Sequence, residues 1–508
     1  MACAAGPDIK EDGLVLALDA ANTKSILSAV EVLVVAGGGG GGMDMGGGGG
    51  VIYSSAVSIT PGSAITATVG NGGVGAPAAG TNGQPGGHQY TIPATQGGNS
   101  VFGALTAIGG GFGGSSYRAY TPGIAGGNGG SGGGSSGYNN NAGTFNGGTG
   151  TSGQGFGGGN STQAYRSGGG GGAGGAGVSS PNQPNGGPGV IYPTMSPYYF
   201  GGGGGGSSYS LSTGGYGGIG GGGGGAVGTT YGGAGLNNGS PGGGGSPNSQ
   251  TNKPGGSAGA NTGGGGGGGS HYNSNNKGGD GGSGIVIVRY PGSQRASGGT
   301  VTFVAGHTIH TFTTSGTFTP NFGDMTGRGN NGTLTNGPTY NSANGRSLVF
   351  GGVNDRVDVL NPGISQTFTV SAWVNCSNVA SSNNIVSKNG PYFMRIVNSK
   401  VRFNVLTSVG SWLFQNGTTT LSNNIWYNFS MTYDSSFFKG YINSNLEFNT
   451  AKTGSISTNN GLHIGYTPAA GEQAGFNGNI AQVSIYNRAL TAAEIQQNFN
   501  ATRSRFSI

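Results

Sequence analysis

Charge is what this chain has least of. Charged residues fill 7% of its 508 positions, against about 25% in ordinary soluble domains. The balance is +6, with no Lys/Arg run and no basic stripe interleaved with aromatics, so nucleic acid is not an expected partner. Cysteine is nearly absent too. Cys3 and Cys376 are the only two, which excludes a disulfide framework, and both read as free thiols. Long apolar runs are missing: ILSAVEVLVVA is too short to span a bilayer and contains Glu31. The opening MACAAGPDIKEDG lacks a basic stretch followed by an apolar one, so neither a secretory signal nor membrane insertion is expected.

Catalytic groupings are equally scarce. A retaining glycosidase needs two carboxyl groups about 5–5.5 Å apart, which on a strand means acidic residues at i and i+2 or i+4. The chain has 14 acidic residues and no E-x-D-x-x-E pattern. Asp355 and Asp358 stand at odd spacing, and Glu447, Glu472 and Glu494 are isolated. CxxC and HxxxH are absent, GxSxG occurs within the glycine-dense stretch as a product of composition (129–133, 133–137 and 255–259), and His307 and His310 lie three apart in a strand-like segment. The many GxGxxG matches follow from composition, with no strand–helix unit around them. No enzyme is expected.

Glycine fills the space. Of 123 glycines, 97 fall between residues 37 and 284, a window holding only Asp44, Arg118, Arg166, Lys253, Lys277 and Asp280 as charged residues. Runs of four to seven recur at 37–42, 46–50, 168–172, 201–206, 220–225, 242–245 and 263–269, separated by Tyr, Asn, Ser and Pro. One reading is disorder, since each glycine loses the most entropy on ordering. The favoured reading is a packed bundle of extended threefold helices, whose outward N–H and C=O groups pair only where no side chain holds the backbones apart. The intervening loops would then be displayed at its ends.

The C-terminal third is different. SLVFGG, RVDVL, TFTVSAWVN, FMRIVN, KVRFNVL, WYNFSMTYD, FKGYIN, LHIGY and AQVSIYN alternate apolar and polar residues between NG, SNN and TNN turns, as in an antiparallel sandwich. One helix is expected over 490–501, with Thr491 as N-cap and Glu494 three residues on. The stretch GRGNNGTLTNGPTYNSANGRSLVFGGVNDRVDVL, then FTVSAWVN, IWYNFSMTYD…FKGYIN and FNGNIAQVSIYNRALTAAEIQQNFNA resembles a laminin G-like domain of the concanavalin A-like lectin/glucanase superfamily. That resemblance implies a two-sheet jelly roll. In similar sequences a phrase like GLVLALDAANTKS (13–25) comes shortly before one like DMTGRGNNGTLTNG; here about 300 residues separate them. Residues 1–27 are therefore expected to supply the first strand of the sandwich and 321–508 the remainder, with 28–320 inserted at an exposed loop.

The insertion is framed by its own strand-like segments, AVEVLVVA (29–36) on entry and GIVIVRYP, TVTFVAG and TIHTFTTSGTFTP (284–320) on exit. Two further β elements are expected at 51–73 and 100–111. Such phrases resemble the glycine-rich domains of phage tail and fibre proteins, cyanophage ones especially, though there TIHTFTTSGTFT precedes the glycines.

Site residues follow from both lines. Asn354, Asp355 and Asp358 match the acidic stretch after SLVF where laminin G-like domains hold Ca²⁺; the alternative is that Asp355 orders a turn. Tyr392 and Trp412 are expected to stack on sugars, and Trp373 and Trp426 to sit in the core. Tyr138 and Tyr272, in SSGYNNNAGTFNGG and SHYNSNNKGG, belong to a Tyr/Ser/Asn palette suited to adaptable contact. Together these imply a tail-fibre or adhesin component of a phage virion, assembled in the host cytoplasm. It would bind host-surface polysaccharide or receptor beside other virion proteins, as a trimer or in several copies. The alternatives are a spacer or capsid decoration without a receptor, and a bacterial surface or ice-binding protein.

Overall fold

The computed structural model describes residues 9–508 apart from 23, 43–45, 78–93, 116–124, 137–143, 163–165, 209–212, 245–252, 271–275, 344, 363–365, 389, 458–460 and 468–473. The chain is mainly β. Two antiparallel sheets make the sandwich. The larger runs Thr339–Asn341, Ser347–Gly351, Asn477–Tyr486, Phe368–Cys376, Trp426–Tyr433, Phe437–Ile442, Asn445–Ala451. The smaller runs Gly332–Thr335, Arg356–Val359, Leu462–Ile464, Asn383–Lys388, Tyr392–Val397, Lys400–Val405, Leu413–Asn416. Their alternating residues meet in one core, with Phe368, Val370, Phe429 and Met431 from one side and Met394, Phe403 and Ile464 from the other.

The phrase broken off at residue 25 is completed here. Leu14–Asp19 pairs antiparallel with Asn477–Tyr486, from Leu14 opposite Tyr486 to Asp19 opposite Gln482. Ser347–Gly351 takes the other half of the same edge, from Leu348 opposite Ile480 to Gly351 opposite Asn477. Two short strands far apart in sequence thus lie end to end along one long strand. Leu16 and Leu18 are fully buried in the sandwich core.

The helix spans Ala492–Thr502. The Thr491 side chain accepts from the Glu494 N–H and the Glu494 carboxylate from the Thr491 N–H, the expected capping box. The helix packs on the larger sheet, where Phe499 stacks on Trp373 at 5.5 Å and Phe506 at 4.2 Å. Trp373 and Trp426 lie in the interior as expected.

Two five-stranded sheets frame the glycine-dense stretch. One runs Thr300–Val304, His307–Phe312, Ile285–Pro291, Ala29–Val35, Val51–Ser58; the other Ala296–Ser297, Gly316–Pro320, Ile65–Thr68, Ser100–Phe102, Leu105–Ala107. A second core, including Val32, Val34, Phe102, Val286, Val288 and Phe318, fills the space between them.

Most of the glycine runs are buried and hydrogen-bonded to one another, while Gly242–Gly244 lie nearer the surface. Along 36–41, successive N–H groups donate to the carbonyls of Gly50, Gly98, Gly282, Gly47, Thr95 and Gly279 at 2.8–3.0 Å. Every third residue returns to the same neighbour three positions earlier, so those three neighbours run antiparallel. The carbonyls of 37 and 40 accept from Gly110 and Gly113, those of 38 and 41 from Gly73 and Ala76, and those of 39 and 42 from Gly266 and Gly269. These partners advance by three, so they run parallel. The period is three, where a strand's is two. A side chain anywhere along such a run meets backbone: a Cβ on Gly266 would lie 2.0 Å from the Gly279 oxygen.

Candidate glycan-binding face

Register builds the site. Phe393 pairs with Asn404, and Asn404 with Phe414, and directly opposed residues share a face of a sheet. Met394, Phe403 and Val405 point into the core, so Phe393, Asn404 and Phe414 form a row on the outer face of the smaller sheet. Trp412 closes it, edge-on to Phe393 at 5.1 Å and stacked with Phe414 at 6.1 Å. Phe414 is 49% exposed and Trp412 partly so. Asn404, between the two phenylalanines, is fully buried, and neither its Nδ2 nor its Oδ1 has a hydrogen-bond partner. The next row carries charge. The Arg395 guanidinium lies 4.9 Å from the Phe393 ring centre, and Arg402 Nε donates to Asn416 Oδ1 at 2.8 Å.

The loop presenting Trp412 is tied down. Lys452 Nζ donates to the carbonyls of Val409 at 2.9 Å and Ser411 at 3.0 Å. Gly410 between them adopts φ +81°, a conformation glycine favours. The Ser408 N–H donates to Ser455 O at 2.7 Å, and Thr407 Oγ1 to Thr453 O at 2.7 Å. Beside this loop lies a cleft of about 370 Å³, lined in part by Pro391, Leu406, Ser408, Ser455 and Ile456. Uncharged hydroxyl and apolar groups make up its wall.

Farther along the same face Asp358, His463 and Ser387 stand side by side on three paired strands. His463 Nδ1 lies 2.7 Å from Asp358 Oδ1. The residue types suggest a nucleophilic triad, but Ser387 is buried and its hydroxyl donates to Tyr466 O at 3.0 Å. Asp358 is also engaged by Arg356 Nε at 2.8 Å and Thr335 Oγ1 at 2.6 Å. Burial opposes its charge, yet the hydrogen bonds from Thr335, His463 and Arg356 outweigh it and hold the carboxyl below its usual range. This is a locked structural network.

The sequence-derived sites fare unevenly. Trp412 stands where a ligand can reach it. Tyr392 does not: it is fully buried, stacks on Phe368 at 4.6 Å, and offers no face to a sugar. The strand's alternation turns it inward and its neighbour Phe393 outward. Asp355 Oδ2 accepts the Gly351 N–H at 2.7 Å, ordering the turn, and Asn354 O accepts from Asn336 Nδ2 at 3.3 Å. With Asp358 held by Arg356, the three do not form a ready cation site, and among the described residues no three His, Cys, Asp or Glu side chains gather. Tyr138 and Tyr272 lie outside the described residues. Sequence reasoning missed Phe393, Asn404, Phe414 and Lys452. A signal was there, since Phe393, Arg395, Arg402 and Asn404 fall on the outward phase of FMRIVN and KVRFNVL. On the glycine-rich part, Tyr216 and Tyr231 stack 5.9 Å apart at 40% and 62% exposure.

No described helix is long and apolar enough to cross a membrane. No curated protein matches the chain. Among solved structures, the binding domain of Paraclostridial Mosquitocidal Protein 1 is similar at 17% identity and TM-score 0.30, covering 35% of this chain and 49% of that one. The binding domain of Botulinum neurotoxin DC, in complex with rat synaptotagmin II, gives 16%, 0.29, 35% and 48%. Domain 4 of an extracellular arabinanase from Geobacillus stearothermophilus, in complex with arabinotriose, gives 18%, 0.29, 35% and 91%. The chain spans about half the length of the two toxin domains, and likeness at this level says nothing about function. The family matches do locate the parts: residues 20–259 match a glycine-rich domain and residues 350–496 the concanavalin A-like lectin/glucanases superfamily, so the chain joins a glycine-rich domain to a concanavalin A-like one.

Proposed function

We propose that this protein is a non-catalytic adhesin of a tailed-phage virion, holding host-surface glycan on the outer face of the smaller sheet. One observation carries the reading: an exposed aromatic row set over a buried Asn404 amide with no partner. Trp412 and Phe414 offer flat rings to the apolar face of a sugar. An unpaired buried amide costs about 1–3 kcal/mol, part of which a ligand hydroxyl recovers once the exposed Phe414 ring swings aside. Arg402 and Asn416 supply a polar rim. Weak single contacts suffice where several copies act together, which fits a homo-oligomer mounted on other virion proteins. Residues 28–320 act as an insertion whose threefold glycine helices form a stiff mount, and the exposed Tyr216–Tyr231 pair favours a second contact surface on it.

The test is a panel of host-envelope polysaccharides bound by the intact protein and by Trp412→Ala and Phe414→Ala variants. Each substitution should weaken binding about 10-fold or more, on the scale of about 1–3 kcal/mol for a lost aromatic contact, with the melting temperature unchanged. Equal binding by all three proteins would move recognition off this face. Absence of binding by the intact protein would favour a spacer or capsid decoration.

A further inference from the structure

A cleft of about 390 Å³ opens at the seam where the N-terminal strand joins the rest of the sandwich. Ile9, Glu11, Asn22 and Lys24 line it from one side, and Met325, Thr326 and Arg328 from the other. The two walls come from segments about 300 residues apart in the sequence.

The loop 324–331 that forms the second wall is rigidly built. Asp324 is buried, and its carboxylate accepts from the N–H groups of Ala17 (3.1 Å), Thr326 (3.0 Å) and Asn330 (3.2 Å) and from Thr326 Oγ1 (2.6 Å). Asn330 Nδ2 in turn donates to Val15 O at 2.8 Å. The acidic groups around the seam are thus occupied. Asp324 is saturated by these donors, Asp12 pairs with Arg488 at 3.0 Å, and Asp19 with Arg505 at 2.6 Å. Lys24 and Arg328 are left facing the cleft with no ion pair among the described residues, opposed by Glu11 alone.

We propose that this seam cleft is a second binding site, for a carboxylate-bearing saccharide such as a uronic acid unit of an acidic polysaccharide. Arg328 suits bidentate contact with a carboxylate, and Lys24 adds a compact charge on the opposite wall. Thr326 and Asn22 supply neutral hydrogen-bonding groups for ring hydroxyls. Glu11 excludes a second anion from its own end and can accept from a hydroxyl there, which fixes the direction in which a saccharide lies. Because the ligand touches both walls, binding also clasps the N-terminal strand to its domain. The site is separate from the aromatic face and stands or falls without it.

The experiment measures binding of an alginate hexasaccharide and of a neutral dextran oligosaccharide of equal length to the full chain, at two salt concentrations. The alginate should bind, more weakly at high salt, and should raise the melting temperature; the dextran should bind at least 10-fold less well at this site. Lys24→Gln with Arg328→Gln should weaken alginate binding at least 10-fold and flatten its salt dependence. Neither side chain bonds within the seam, so the melting temperature without ligand should hold. Glu11→Gln should strengthen binding, and Trp412→Ala should leave it unchanged. The proposal is overturned by salt-independent binding, by equal affinity for dextran, by an unchanged affinity in the double variant, or by weaker binding after Glu11→Gln.

Discussion

Glu494 shows how one side chain can serve two structures at once. Its carboxylate takes both Arg488 Nη groups, at 3.0 and 2.8 Å, while accepting the Thr491 N–H at 2.9 Å. The Arg488 bonds come first among the influences that draw its pKa from 4.5 down to about 2, outweighing the opposing effect of burial with the help of the Thr491 hydrogen bonds. A depressed folded-state value adds stability above the unfolded-state pKa, and that contribution is lost as pH falls through the folded value. The melting temperature should therefore drop between about pH 4.5 and 2, and Glu494→Gln should lower it at pH 7 while flattening that decline. A thermal-melting series across that range checks both. An unchanged acid profile in the variant would show that other carboxylates govern acid unfolding.

At the scale of elements the glycine run is the informative unit. The run at 36–42 pairs its N–H groups with antiparallel neighbours and its carbonyls with parallel ones, and a methyl group within a run blocks the close approach that such pairing needs. A Cβ on Gly203 would meet the Gly170 oxygen at 2.1 Å, whereas on Gly244 the nearest atom stands at 3.3 Å. Gly203→Ala and Gly266→Ala should each lower stability by about 1–3 kcal/mol through separated backbones and orphaned bonds, and Gly244→Ala by far less. Amide exchange gives the second readout: glycines within the runs should stay protected for minutes or longer, and random-coil exchange throughout would defeat this picture.

Much at this scale was legible in the sequence. The strands around VEVLVVA and GIVIVRYP, the Thr491 cap and the outward Trp412 follow from alternation, capping chemistry and flanking turns. The misjudged residues turn on register. Whether Tyr392 or Phe393 faces out depends on a one-residue phase, and the strand is short, opens with an aromatic on each phase, and marks the outward one by Arg395 alone. Asn404 looks like any strand asparagine until Phe393 and Phe414 are known to flank it across two other strands. Lys452 acts on a loop 41 residues away, and no local pattern records that.

For the whole molecule the decisive fact is that a strand at residue 14 completes a sheet at residue 486. Deleting residues 1–27 should expose the 482–486 half of an edge and empty the sites of Leu16 and Leu18, giving a protein that aggregates. Joining residue 28 to residue 320 through a short linker should instead leave a cooperatively melting β domain. Light scattering and calorimetry on the two deletions decide it, and the reverse pattern would make the N-terminal segment an independent tail.

That same pairing governs the order of events during synthesis. Leu14–Asp19 leaves the ribosome more than 460 residues ahead of the strand it joins, a delay on the order of 20–90 s at roughly 5–20 residues per second. For that interval its apolar face has no sheet to cover it, while the glycine-rich portion is complete and free to fold. The sandwich thus closes only after the glycine-rich portion has emerged, on a strand that has waited for its partner. Lys10 N–H meets Asn498 Oδ1 at 2.8 Å, and Tyr486 donates to Lys10 O at 2.9 Å, so the Ala492–Thr502 helix and the strand before it seal the join once both have emerged.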